Sequence, residues 1–213
     1  SNNSFIEDGK LIIKAIRQYY AGSDYTSARM VTKNKGDWTY GRIEVRAKLP
    51  AGTGTWPAIW MMPTDSEYGG WPDSGEIDIM EHVGFDPGAI HATCHNDTYN
   101  WYDGIPPPGG ELNVNDFDEN FHTYTLEWTE SSLKWFVDET LYYTYSNTSS
   151  WSTWPYNYDF FIILNIAIGG TWGGQQGIDD GIFPVQMEVE YVRVYQGGGG
   201  TGPESSEITF LVD

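Results

Sequence analysis

Short stretches of this chain alternate apolar and polar residues with a period of two, and each is closed by Gly, Pro, Asn or Asp, while helical spacing of apolar residues is scarce. The pattern predicts strands over residues 10–16, 25–32, 40–48, 59–62 and 76–80, separated by polar turns such as Glu7-Asp8-Gly9. The clearest local signal is a hairpin. Tyr124, Leu126 and Trp128 share one face of residues 122–128, Leu133, Trp135 and Val137 answer over 132–137, and Thr129-Glu130-Ser131 is the turn. Residues 160–168 are apolar on both faces, which predicts a central strand covered on two sides, and 186–195 is a late strand. About ten strands on this spacing predict an all-β, two-sheet sandwich.

The end of the chain changes character. The run Gly197-Gly198-Gly199-Gly200-Thr201-Gly202-Pro203 reads as a linker, and Ile208, Phe210 and Val212 alternate again after it. The expected organisation is one domain over 1–196, a Gly-rich linker over 197–205, and the start of a downstream β module over 206–213.

Composition narrows the partners. Asp and Glu number 30 against 11 Lys and Arg, a formal charge of −19, so a phosphate backbone is repelled and nucleic acid is excluded as a partner. The longest apolar run falls far short of the ~18 residues of a membrane span, so no membrane partner is expected. Cys94 stands alone, which leaves no internal disulfide and makes packing, or a metal, hold the fold. Aromatic residues reach 16%, with 10 Trp and 15 Tyr, an unusual supply of flat amphipathic side chains.

The richest chemistry lies in Gly75-Glu76-Ile77-Asp78-Ile79-Met80-Glu81-His82. Strand alternation puts Glu76 and Asp78 on one face and Ile77 and Ile79 in the core, leaving Glu81 out of phase. A charge directed into the core is costly, so a one-residue bulge near Met80 is predicted, returning Glu81 to the face of Glu76. Three like charges at close range raise one another's pKa, a poor arrangement for stability and a useful one for acid–base work. Four effective steps span about 13 Å of strand. Glutamate side chains leaning inward close most of that, toward the ~5 to 5.5 Å separation of a retaining glycosidase. A solvated acidic edge strand is the bland alternative. His91, Cys94 and His95 raise a transition-metal reading, but His91 and His95 sit about 13 Å apart along a strand, too far to share an ion.

These residues resemble the bulged E-x-D-x-x-E signature of the family 16 glycoside hydrolases, in the laminarinase-like (endo-β-1,3-glucanase) branch. Supporting text falls in the family's order: Trp38-Thr39-Tyr40-Gly41-Arg42-Ile43-Glu44, Gly54-Thr55-Trp56-Pro57-Ala58-Ile59-Trp60-Met61, Gly169-Gly170-Thr171-Trp172 and Tyr191-Val192-Arg193-Val194-Tyr195. The resemblance implies a β-jelly roll with a concave substrate cleft, Glu76 as nucleophile, Glu81 as general acid/base and Asp78 as helper. It implies substrate contacts from Arg42, Trp56, Trp60, Trp71, His95 and Trp172, whereas alternation assigns Trp128 and Trp135 to the core. Relative to the family the chain begins late, so the sandwich is expected to lack N-terminal strands. The family's structural calcium would fall to the Gly9 carbonyl and Glu190, and catalysis would need no cofactor. The implied activity is retaining endo-hydrolysis of β-1,3-glucosidic bonds in laminarin-type β-glucan by a secreted monomer. A mixed-linkage β-1,3-1,4-glucanase, an agarase- or carrageenase-type relative and a non-catalytic glucan-binding fragment remain the alternatives.

Overall fold

The computed structural model describes residues 2–197 and 203–207. In chain order the strands are β1 (Ser4–Glu7), β2 (Lys10–Tyr20), β3 (Ser23–Thr26), β4 (Arg29–Val31), β5 (Asp37–Trp38), β6 (Gly41–Lys48), β7 (Thr55–Pro63) and β8 (Glu76–Glu81). They continue as β9 (Ala89–His95), β10 (Gly109–Asn113), β11 (His122–Trp128), β12 (Ser132–Val137), β13 (Thr140–Ser146), β14 (Phe160–Ile168), β15 (Val185–Gly197) and β16 (Pro203–Glu207). Among the described residues these make two antiparallel sheets. One runs β1-β2-β15-β6-β11-β12-β13, with β3 on β2 and β16 on β15; the other runs β10-β9-β8-β7-β14-β4, with β5 also on β14.

Period-two alternation explains how the sheets meet. Ile43, Val45 and Ala47 of β6, Tyr124, Leu126 and Trp128 of β11, and Leu133, Trp135 and Val137 of β12 point inward from the larger sheet. Ile59 and Met61 of β7, Ile77, Ile79 and Met80 of β8, and Ile90, Ala92 and Cys94 of β9 meet them from the other, all almost fully buried. Each large aliphatic side chain removed from water contributes roughly 1.5–3 kcal/mol. The far face of the smaller sheet is then free to carry polar chemistry.

The expected hairpin forms with Tyr124 opposite Val137, Leu126 opposite Trp135 and Trp128 opposite Leu133. Both tryptophans also tie the layers together. Trp128 Nε1 donates to the Tyr156 carbonyl and Trp135 Nε1 to the Asp78 carbonyl, each at 2.9 Å. A buried carbonyl needs a donor, and the indole from the opposite sheet supplies one to the strand that bears the carboxylates.

The structure departs from the sequence pattern in three places. The strand expected over 25–32 is two: β3 pairs with β2 in one sheet, and β4 pairs with β14 in the other, so the chain changes layers at Ser27-Ala28. Strands β1, β10 and β13 carry weak or Gly-rich patterns at sheet margins and are recovered only by their pairing. Strand β14 is flanked by β7 on one side and by β4 and β5 on the other, but Asn165 and Ala167 open onto the free face instead of lying under a second layer. At the chain's end, β16 pairs with β15. The stretches 198–202 and 208–213, on which much of the linker and downstream-module reading falls, lie outside the described residues.

Replacing Trp135 with Phe keeps most of the packing and removes the donor to Asp78. It is expected to cost about 1–3 kcal/mol, read as a lower denaturant midpoint at unchanged slope.

Candidate active site

Strand β8 carries the bulge that its spacing demands. Against β7, Met80 pairs with Ile59 and Asp78 with Trp60, leaving Ile79 as the extra residue, and the same irregularity separates Asp78 from Glu81 in the pairing with β9. Ile77, Ile79 and Met80 are all buried, while Glu76, Asp78 and Glu81 line one hollow of about 290 Å³ on the free face. The strand is entered at Gly75, whose φ of +90° suits only glycine and whose Cβ would lie 2.9 Å from Pro155 and Tyr156.

Each glutamate has its own indole donor. Trp56 Nε1 donates to Glu81 Oε1 and Trp71 Nε1 to Glu76 Oε2, both at 2.9 Å. His95, opposite Glu76 in the β8–β9 register, brings Nε2 to 3.7 Å from Glu76 Oε1 and 3.4 Å from Asp78 Oδ2. Asp78 is 2% exposed, and its Oδ2 accepts no hydrogen bond.

Burial dominates the electrostatics. It raises Glu76 to about 8, with the neighbouring Asp78 charge adding to the shift and His95 and the Trp71 hydrogen bond opposing it. Burial raises Glu81 to about 7 against the Trp56 hydrogen bond. Asp78 is driven well upward, by burial first and Glu81 second. The cleft therefore holds protons near neutrality. With Asp78 protonated, the largest like charge acting on Glu76 vanishes, while the Trp71 hydrogen bond and His95 favour its ionised form.

Aromatic residues surround the acids. Trp56 and Trp172 meet edge to face at 5.5 Å, Trp172 reaches the His91 ring at 5.0 Å, and Trp71, 46% exposed, lies 5.8 Å from His95. Close approach of the Trp172 loop depends on Gly173, where a Cβ would fall 2.8 Å from that of Trp56. Trp60 donates to Asn165 Oδ1 at 2.7 Å and carries Arg29 on its face, 4.6 Å from guanidinium carbon to ring centre. The structure thus gathers Glu76, Asp78, Glu81, Trp56, Trp60, Trp71, His95 and Trp172 in one region.

Arg42 does not join them, which corrects the resemblance-based assignment. It lies on β6 in the opposite sheet, where Glu44, Glu127 and Glu139 hold it at 2.7, 2.8 and 3.0 Å. The arginine lining the cleft is Arg29, which sequence reasoning missed because only the pairing of β4 beside β14 brings it there. The calcium assignment also finds no support. Glu190 Oε2 accepts from Arg46 Nε at 2.6 Å, and a guanidinium at that distance opposes a dication, so Gly9 and Glu190 do not fit the ion as placed. Cys94 faces the core, where burial pushes its thiol up, and is no metal ligand beside His95.

A carboxyl whose folded pKa exceeds its unfolded value contributes its stability fully below the unfolded pKa and loses it as pH climbs through the folded one. Glu76 and Glu81, ordinarily 4.5, are raised to about 8 and about 7, so the fold weakens progressively from pH 4.5 to 8. Asp78→Asn removes a like charge at nearly constant shape. It is expected to melt about 2–4 °C above wild type near pH 8.5, with the gain shrinking toward pH 4, in thermal scans at both pH values.

Comparison with known proteins covers nearly the whole described chain. Residues 2–193 match the family described as glycosyl hydrolases family 16. A β-glucanase of Rhodothermus marinus is 50% identical over 202 residues, covering 91% of this chain and 70% of that protein. The X-ray structure of the laminarinase from Rhodothermus marinus superposes with a TM-score of 0.89 at 51% identity, covering 92% of this chain and 80% of that one. SCLam, a non-specific endo-β-1,3(4)-glucanase co-crystallised in mutant form with 1,3-β-D-cellotriosyl-glucose, superposes at 0.88 with 43% identity, covering 92% and 78%. Since the match runs through both sheets and through the bulged strand itself, the chain belongs to glycosyl hydrolase family 16.

Proposed function

We propose that this protein is an endo-acting, retaining hydrolase of β-1,3-glucosidic bonds in laminarin-type β-glucans. The observation that carries the reading is the pair Glu76 and Glu81, each with its own indole donor, on one bulged strand with buried Asp78 between them. In the first step the Glu76 carboxylate attacks the anomeric carbon while Glu81 gives its proton to the departing glycosidic oxygen. In the second, Glu81 takes a proton from water, whose oxygen displaces Glu76 from the glycosyl-enzyme with net retention. Asp78, kept neutral by burial, limits the charge that accumulates beside the nucleophile. No cofactor enters, because two carboxylates supply both nucleophile and proton.

Trp56, Trp60, Trp71 and Trp172 offer flat faces for sugar rings. Likeness to relatives named for β-1,3-glucan and β-1,3(4)-glucan hydrolysis supports the linkage, and extends it to mixed-linkage β-glucan as a second substrate. Among the described residues Arg29 is the one cation lining the hollow, and at −19 overall the chain is ill suited to sulfated galactans. A polymeric glucan outside the cell, met by a strongly acidic chain, supports a secreted enzyme acting as a monomer.

Reducing-sugar release from laminarin, lichenan and agarose tests the assignment, with laminarin cleaved best and agarose untouched. Glu76→Gln is expected to lower turnover by at least ~10³-fold, and proton NMR of the first product should show the β-anomer. Unchanged hydrolysis by that variant would overturn the assignment.

A further inference from the structure

We infer that Glu76, Asp78 and His95 form a binding site for a divalent transition metal such as zinc, and that filling it blocks hydrolysis. One donor atom from each side chain lies within 4.8 Å of the other two. Zinc bound to nitrogen or oxygen at about 2.0–2.1 Å in a tetrahedron sets its donors about 3.3–3.4 Å apart. His95 Nε2 stands 3.4 Å from Asp78 Oδ2 and 3.7 Å from Glu76 Oε1, so two edges are close to the bound spacing, and the Glu76–Asp78 edge, within 4.8 Å, draws in on binding.

Two further observations point to a cation. Asp78 Oδ2 is buried with no hydrogen-bond partner although its neighbours on the strand are also acids. Among the described residues no Lys or Arg forms an ion pair with Glu76, Asp78 or Glu81, and Arg29, in the same hollow, stacks on Trp60 instead. Trp71 occupies Glu76 Oε2 and leaves Oε1 toward His95. The fourth position of the tetrahedron is left to water.

His95 Nδ1 has no partner, so the site lacks the outer hydrogen bond that orients most metal-bound imidazoles, which costs about 10–100-fold in affinity. An ion there engages the carboxylate assigned as nucleophile and is competitive with glucan. The metal site rests on the cleft's geometry alone; only the inhibition depends on the proposed function.

Calorimetric titration of the purified protein with zinc chloride tests it, alongside the visible spectrum with cobalt(II) and zinc inhibition of laminarin hydrolysis. The expected results are one saturable site, tetrahedral cobalt bands and inhibition competitive with laminarin. His95→Ala, shown folded by circular dichroism, should weaken zinc binding by about tenfold or more, and His91→Ala, beside Glu111 at 3.7 Å, should leave it intact. Absence of saturable binding, or equal affinity in wild type and His95→Ala, would overturn the site whether or not laminarin is cleaved. Binding at the site without competition would overturn the inhibitory role.

Discussion

Three carboxylates within six residues can share one face of a strand only if the strand gains a residue, and Ile79 is that residue. Its insertion lets Ile77, Ile79 and Met80 all enter the core while Glu81 returns to the side of Glu76. Without the extra residue, alternation would direct either Glu81 or a row of apolar side chains the wrong way, at a desolvation cost that no local rearrangement offsets. The placement of all three carboxylates on one face is therefore set by one irregularity in the ladder.

The surroundings support that irregularity from both faces. Behind it, the Asp78 carbonyl receives the Trp135 indole from the opposite sheet, so β8 is fixed to the core by a directional contact as well as by packing. In front, Trp56 and Trp71 each stabilise one glutamate, while burial and mutual repulsion push all three acids toward their neutral forms. Stability is sacrificed locally for acid–base chemistry, and the extensive apolar layer between the sheets absorbs the loss.

The abundance of tryptophan resolves into two roles by the same parity rule. Trp128 and Trp135 point between the sheets and are almost fully buried, whereas Trp56 and Trp60 alternate with Ile59 and Met61 onto the free face. Trp71 and Trp172 arrive from loops, the latter through a glycine-rich turn that permits contact with Trp56. One residue type thus serves as core packing, carboxylate donor and cleft lining, according to strand phase and loop path.

Much of this was legible along the chain. The 122–137 hairpin, the core assignment of its tryptophans and the bulge in β8 all follow from period-two alternation, a local property that survives without knowledge of partners. The layer change between Tyr25 and Val31, the weak strands at sheet margins and the company of each side chain were not legible, because they depend on which strands lie side by side. Arg42 and Arg29 show the difference. Both lie on strands near aromatic residues in the sequence, yet β6 lies in the opposite sheet, where three glutamates hold Arg42, and β4 lies beside β14 at the cleft. The sequence by itself determined the alternation, the bulge and the acid set; the tertiary structure decided which sheet each strand joins, because strand order is a non-local pairing that a two-residue period cannot encode.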